Sequence, residues 1–186
     1  MCGRYSLFTD EDPEIKRIAA AALLLDPSVK TGEIFPANTA PVLLETGGRI
    51  EVGAFGWGFP GWKGKGAVIN ARGETAAEKR MFQAALHARR CVVPTTGFYE
   101  WDAEKRKQLF RLPGSRAVYL AGLYGAFAGE NRYVILTTAA NASVAEIHHR
   151  MPVVLERGRI EAWLTDETAA ALLVRETPPA LEHAPA

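Results

Sequence analysis

A cysteine stands at position 2, directly behind the initiator methionine, in the run MCGRY. Cells trim an initiator methionine when the next side chain is small, and cysteine is small. The processed chain would then begin with an α-amine and a thiol on neighbouring carbons of one residue. A terminal α-amine titrates near about 7.7–8.0 and a free thiol near about 8.5, so part of the amine is neutral at physiological pH. A neutral amine attacks an aldehyde to give an imine, and the neighbouring thiol can close it into a five-membered thiazolidine. That ring outlasts an ordinary Schiff base, because it must reopen before water can act. Cys2 could alternatively serve as a thiolate nucleophile on an amide, with the α-amine as its base. It could also simply fill an edge strand, since cysteine is often buried.

Three further stretches could build a site around it. In INARGET, Asn70 and Arg72 alternate onto one side of the chain. An amide and a guanidinium together suit an oxygen-rich ligand or a phosphate, although a turn asparagine beside a solvated arginine fits equally. In GFYEWD, Glu100 sits between Tyr99 and Trp101 on an apolar segment. A carboxylate there is costly unless it is exposed, paired or useful, and partial burial would raise its pKa toward that of a proton shuttle. The competing reading turns Glu100 to solvent and its aromatic neighbours to the core. In IHHRMPVVL, His148 and His149 end a short helix at an element boundary, with Arg150 next. Of the tryptophans in WGFPGW, Trp57 reads as core, and Trp62, beside Lys63 and Lys65, as an exposed stacking wedge. Cys91 reads as a buried strand thiol, and His87 and His183 carry no signal of their own.

These residues need elements to carry them. MCGRYSLF reads as a strand. Asp12 and Pro13 form an N-cap and N1 pair opening a helix to about Leu25, with Ile15, Ile18, Ala19, Ala22 and Leu23 inward. Residues 26–41 read as loop, residues 40–57 as a hairpin turning at Gly47-Gly48, and residues 58–74 as irregular. Thr75 and Glu78 make a capping box for a helix to about Arg90. Four strand-like runs follow: RCVVPTTGFYEWD, KQLFRLP, AVYLAGLYGAF and RYVILTTAA. Ser143 and Glu146 suggest a second capping box, PVVLERGRIEAWL a hairpin turned at RGR, and Thr165 the start of a last helix. The pattern predicts an α+β fold: one domain over residues 1–175, a largely antiparallel curved β-sheet core with flanking helices. Residues 176–186 read as a flexible Pro/Ala-rich tail.

The bulk numbers bound the function. The chain has 186 residues, 48% hydrophobic and 23% charged, with net charge +1, which fits one globular domain. No apolar run reaches the roughly 18 residues of a membrane span, and no signal peptide is visible. Two cysteines are too few for a disulfide framework or a zinc site. A reducing, cytoplasmic setting without a membrane follows as the expectation.

Taken in order, MCGRY, WGFPGW, NARGET, RRCVVPTTGFYEW and HHRMPVVL resemble the SRAP family, the SOS-response-associated peptidases or abasic-site-processing proteins. The resemblance spans roughly residues 1 to 165. It implies covalent capture of abasic sites in single-stranded DNA through a thiazolidine on the ring-opened sugar, with Cys2, Asn70, Glu100 and His148 as catalytic residues. In that reading Asn70 hydrogen-bonds beside the cysteine, Glu100 orients or shuttles protons for the α-amine, and His148 moves protons during ring-opening. Arg72 and Arg150 match phosphate-binding arginines, and Arg4, Trp62 and Trp101 complete the expected DNA-binding set. The resemblance implies no metal and no cofactor, a monomer, and association with the nucleoid when bound to DNA. It also allows crosslink reversal and an abasic-site lyase side activity. Three positions depart from the family pattern: His149 follows the catalytic histidine, EIFPANTAP lacks the usual Tyr-Asn start, and WGFPGW is one residue short. A thiol peptidase using Cys2 as nucleophile, and a binding module without catalysis, are the alternatives.

Overall fold

The computed structural model describes residues 2–61 and 65–186. The chain begins as a strand, β1 (Tyr5–Leu7). Asp12 then caps α1 (Pro13–Leu25), its carboxylate accepting from the amides of Glu14 and Ile15. Ile15, Ile18, Ala19 and Ala22 are buried as the helical period requires, but Leu23 lies beyond the edge of that stripe and is exposed. The stretch expected as loop contains β2 (Gly32–Ile34), which pairs with β1. The hairpin forms as expected, with β3 (Thr39–Thr46) and β4 (Arg49–Trp57) joined through Gly47-Gly48. Both glycines have positive φ, 59° and 82°, which explains their presence there.

The glycine-rich stretch is more regular than its composition suggests. It holds β5 (Phe59–Pro60), β6 (Ala67–Val68) and β7 (Asn70–Arg72). The single helix expected from Thr75 to Arg90 is instead two: α2 (Gly73–Ala76) and α3 (Gln83–Ala88). The first helix starts at Gly73, where an added Cβ would sit 3.3 Å from the Val174 carbonyl oxygen, and this puts Thr75 inside the helix rather than at its cap.

The strand-rich middle is β8 (Arg90–Thr95), β9 (Gly97–Trp101), β10 (Lys107–Arg111), β11 (Val118–Phe127) and β12 (Glu130–Ala139). Asn141, not Ser143, caps α4 (Ala142–Ala145), accepting from the Ser143 amide. The strands β13 (Arg150–Pro152) and β14 (Val154–Leu155) follow. The expected hairpin at RGR is a 3₁₀ turn leading into α5 (Ile160–Thr165). Ile160, Trp163 and Leu164 are buried at i, i+3 and i+4, a helical spacing that the strand reading overlooked. Asp166 rather than Thr165 caps α6 (Glu167–Leu173).

The tail also departs from expectation. Asn141 Nδ2 donates to the carbonyls of Pro178 and Pro179, Leu181 is buried, and β15 (Glu182–Pro185) pairs antiparallel with β10.

Two large sheets organise most of these elements, and β5 and β6 form a separate antiparallel pair. One runs β15–β10–β9–β1–β2. The other is a partly closed barrel, in which pairings run β12–β4–β3–β8–β11 and return to β12. Most pairings are antiparallel, but β12 meets β4 and β7 in parallel. The fold is therefore sheet-dominated with a few helices, as expected from sequence. Buried Arg90 ties two helices to the barrel wall: its guanidinium donates to the carbonyls of Leu86 and His87 in α3 and of Trp163 and Leu164 in α5. Among the described residues, no helix is long and apolar enough to cross a membrane.

Gly97, the first residue of β9, has φ +152°, and a Cβ there would sit 2.7 Å from both Leu109 Cδ1 and the Phe110 carbonyl oxygen. Gly97→Ala is therefore expected to cost about 2 kcal/mol or more, read as a lowered urea midpoint. An unchanged midpoint would mean the turn relaxes without loss.

Candidate active site

The edge between the two sheets is where the chain start sits. Tyr5 opposes Phe98 and Ser6 opposes Gly97, so β1 lies beside β9. The Tyr99 amide donates to the Arg4 carbonyl at 2.9 Å, which carries the pairing one residue closer to Cys2. From the barrel side, Asn70 in β7 donates its Nδ2 to the Cys2 carbonyl at 2.9 Å. Asn70 Oδ1, also buried, finds no hydrogen-bond partner among the described residues.

Cys2 is fully buried, in the same cluster as Tyr5, Trp57 and Tyr133. Its thiol donates to the Arg4 carbonyl at 3.7 Å. Burial first, and then the neighbouring Glu100 charge, push the thiol well above its ordinary pKa. Beneath it the Tyr5 and Tyr133 hydroxyls meet at 2.7 Å, Trp57 stacks on Tyr133, and Trp57 Nε1 donates to the Ile69 carbonyl. Trp57 is thus core, as read from sequence.

Glu100 is 3% exposed. Alternation does turn it away from Tyr99 and Trp101, but the face it turns to is the interior. The sheet is covered on both sides, so period two could not tell solvent from core here. Burial raises the Glu100 carboxyl above its ordinary pKa, with the charge of His149 pulling the other way. His148 is held by its neighbour: its Nδ1 lies 3.0 Å from both the amide nitrogen and the carbonyl oxygen of Arg150. Burial lowers its pKa, and its ring stacks on His149 at 4.5 Å. The histidine that departs from the family pattern is therefore part of the same cluster.

Arg4, Arg72 and Arg150 differ in how available they are. Arg72 is exposed. Arg4 lies over Phe35 and Trp101, at 4.2 Å and 5.1 Å from their ring centroids, and pairs with Glu33 at 3.2 Å. Glu33 also binds Lys107, whose hydrogen bond holds that carboxyl below its ordinary range. Arg150 is gripped by both Glu74 oxygens and donates to the Thr137 carbonyl at 2.7 Å. The Glu74 carboxyl is correspondingly lowered, chiefly by the Arg150 hydrogen bond. Glu33, Glu74 and Phe35 went unnoticed in the sequence because their partners lie 29 or more residues away. Trp62 lies outside the described residues.

So Cys2, Asn70 and Glu100 converge, and His148 and His149 join them from the segment before β13. The cluster brings a thiol, an amide, a carboxyl and two imidazoles into one region.

Comparison with known proteins gives the family and the fold. The family model described as SOS response associated peptidase (SRAP) matches residues 1–185. The chain is 33% identical over 184 residues to the abasic site processing protein YoqW of Bacillus subtilis, covering 88% of this chain and 80% of that protein. Against the abasic site processing protein YedK of Escherichia coli it is 28% identical over 181 residues, covering 90% and 81%. A crystal structure of a Bacteroides thetaiotaomicron protein shares the fold with a TM-score of 0.79 at 23% identity, over 98% of this chain and 90% of the other.

The burial of Glu100 makes a signed prediction. A carboxyl whose folded-state pKa is raised contributes stability that is complete below its unfolded pKa and is lost as pH rises through the folded one. Glu100→Gln is therefore expected to be more stable than the parent near about pH 8, with the difference vanishing toward about pH 4. Urea unfolding across that range measures it, and equal stability at the alkaline end would contradict it.

Proposed function

The chain belongs to the SOS response associated peptidase (SRAP) family, and from that membership and the cluster around Cys2 we infer that it processes abasic sites in DNA by covalent capture on Cys2. The observation that carries the reading is the anchoring of the Cys2 backbone by Asn70 at 2.9 Å beside a buried Glu100. After loss of Met1, the α-amine of Cys2 attacks the aldehyde carbon of the ring-opened sugar, and water leaves to give an imine. The Cys2 sulfur then adds to the imine carbon, its proton passing to nitrogen, and the thiazolidine closes. The net reaction releases one water and needs neither oxidant nor metal.

Each side chain has a role suited to its environment. Glu100, its carboxyl lifted by burial, can take and return a proton. With Nδ1 of His148 engaged by the Arg150 backbone, Nε2 is the nitrogen suited to exchanging protons with the sugar oxygen. Asn70 Oδ1, buried and without a hydrogen-bond partner among the described residues, can accept from the amine. Single-stranded DNA is the form that presents such a sugar unpaired. Arg72 is the exposed cation for a flanking phosphate, whereas Arg4 and Arg150 would first have to leave Glu33 and Glu74. Reversal and lyase cleavage follow from the same imine, which acidifies the adjacent sugar C2 protons. The thiol peptidase reading is weaker: a catalytic thiolate needs a lowered pKa, and the Cys2 thiol is pushed up.

Two outcomes test this. Incubated with a labelled single-stranded oligonucleotide bearing one abasic site, the chain is expected to give a slow-migrating band that survives denaturation. Cys2→Ala, or a blocked amino terminus, should abolish that band, and Glu100→Gln should slow its formation by about 100-fold. A band of equal intensity from Cys2→Ala would overturn the assignment. Separately, Glu74→Gln should release Arg150 and steepen the log–log salt dependence of single-strand binding by about 0.7, measured by fluorescence anisotropy. An unchanged slope would mean Arg150 meets no phosphate.

A further inference from the structure

We propose that the ring of Phe35 stacks on the nucleobase next to the abasic sugar, and that Arg4, on the other side of the ring, holds it in place for that contact. This rests on the preceding reading and deepens it, by naming how the strand is gripped where the lesion itself offers no base.

Strand register brings the two residues together. β1 and β2 pair Ser6 with Glu33 and Tyr5 with Ile34, and one step further Arg4 meets Phe35. The Arg4 guanidinium carbon lies 4.2 Å from the Phe35 ring centroid and 5.1 Å from that of Trp101. Glu33 fixes the cation at 3.2 Å. The backbone of Arg4 touches the reactive residue, because the Cys2 thiol donates to its carbonyl at 3.7 Å. Phe35 is 41% exposed, although Ile34 beside it is fully buried.

The backbone holds the ring in this position. The Asn38 amide donates to the Phe35 carbonyl at 3.0 Å, and the Phe35 amide donates to Asn38 Oδ1 at 3.0 Å. Pro36 and Ala37 form the centre of this turn, Ala37 at φ +71°. That region favours glycine, so an alanine there is strained. Two bonds to the end of β4 keep the turn in shape. The Ala37 amide donates to the Trp57 carbonyl and the Trp57 amide to the Asn38 carbonyl, each at 2.9 Å. Strain held by its surroundings in this way collects where ligands are gripped, and here it fixes an aromatic ring that the core does not enclose.

The size and borders of the patch select its occupant. Phe35, Pro36 and Ala37 are exposed, and Glu33, Arg4 and Lys107 lie beside them. Three residues cannot supply the roughly 800 Å² that a stable protein interface takes from each partner, whereas one ring suffices for one base. Stacking accepts every base, because each has a π-face, and a protein that meets lesions in any sequence needs that tolerance. The guanidinium adds a cation–π attraction. The ring cannot swing away without giving that up, so little freedom is lost on binding. Arg4 fills this role without leaving Glu33. In the sequence Phe35 lies in EIFPANTAP, the stretch that lacks the usual Tyr-Asn start.

The test uses the full-length chain and a labelled single strand carrying a tetrahydrofuran abasic analogue, which has no aldehyde and forms no adduct. A 2-aminopurine placed on one side of the analogue or the other reports stacking by loss of its fluorescence. The parent is expected to quench it on one side. Phe35→Leu keeps an apolar cover on Arg4 but has no π-face. It should lose that quenching and bind about tenfold more weakly by fluorescence anisotropy, while Phe35→Trp keeps both. Equal affinity in Phe35→Leu, in a chain whose urea midpoint shows it folded, overturns the proposal and leaves the ring as a shield over the Arg4–Glu33 pair. A parent that quenches neither neighbour overturns it without any variant. Binding that depends on Phe35, in a chain that crosslinks no natural abasic strand, sustains the stacking while sinking capture on Cys2. Crosslinking by the parent with undiminished binding in Phe35→Leu does the reverse.

Discussion

Everything at the site depends on how the first residues of the chain are held. A chain terminus is loose unless it is tied down, and here the tie is a strand pairing reinforced by hydroxyls. The Ser6 carbonyl accepts from the Thr96 amide at 2.8 Å and from Thr95 Oγ1 at 2.6 Å, and the Phe8 amide donates to Thr96 Oγ1. These bonds lie at the turn between β8 and β9, so the strand that carries Glu100 also clamps the segment that carries Cys2. The Asn70 amide, from the other sheet, adds a third point of attachment. A reactive group at a chain end acquires the precision of a core residue by this means.

That precision comes with electrostatic cost. A carboxyl and a thiol share a region with almost no water, and each makes ionisation of the other less favourable. The charge of His149 opposes the effect of burial on Glu100, while the arginine and lysine charges are paired elsewhere. Glu33 neutralises Arg4 and Lys107 on the outer face of β9, and Glu74 neutralises Arg150 beside β7. The interior is therefore left to groups that can hold or release a proton, while fixed charges stay paired at the rim. A site arranged in this way suits chemistry that moves protons between an amine, a sugar oxygen and a thiol. It suits less well a reaction needing a standing thiolate. The C-terminal strand reaches this sheet as well, through the contact of His183 with Gln108.

Local chemistry made several elements readable from sequence. Asp12 and Pro13 start α1 because a carboxylate and a fixed φ suit a helix entrance, and Gly47-Gly48 turn a hairpin because only glycine takes both angles cheaply. The misreadings have equally local causes. Thr75 and Glu78 have the spacing of a cap, but the helix already starts at Gly73, which packs against Val174, far along the chain. Residues 160–165 carry helical spacing within an apolar run short enough to pass for a strand. The Pro/Ala-rich end has the composition of a loose tail, yet β10 offers it an open edge and Asn141 holds its prolines.

The sequence alone determined which side chains have the chemistry: an aminothiol in waiting at Cys2, an amide at Asn70, a carboxyl at Glu100 and an imidazole at His148. Reactivity of that kind belongs to residue types and needs no partner to be named. Only the tertiary structure decided that Glu100 faces inward, that Arg150 is already engaged by Glu74, and that the last residues complete the first sheet. Alternation along a strand assigns two faces without saying which one is covered, and strand pairing joins residues far apart in the chain, Tyr5 with Phe98 and Phe110 with His183, through contacts that no local period records.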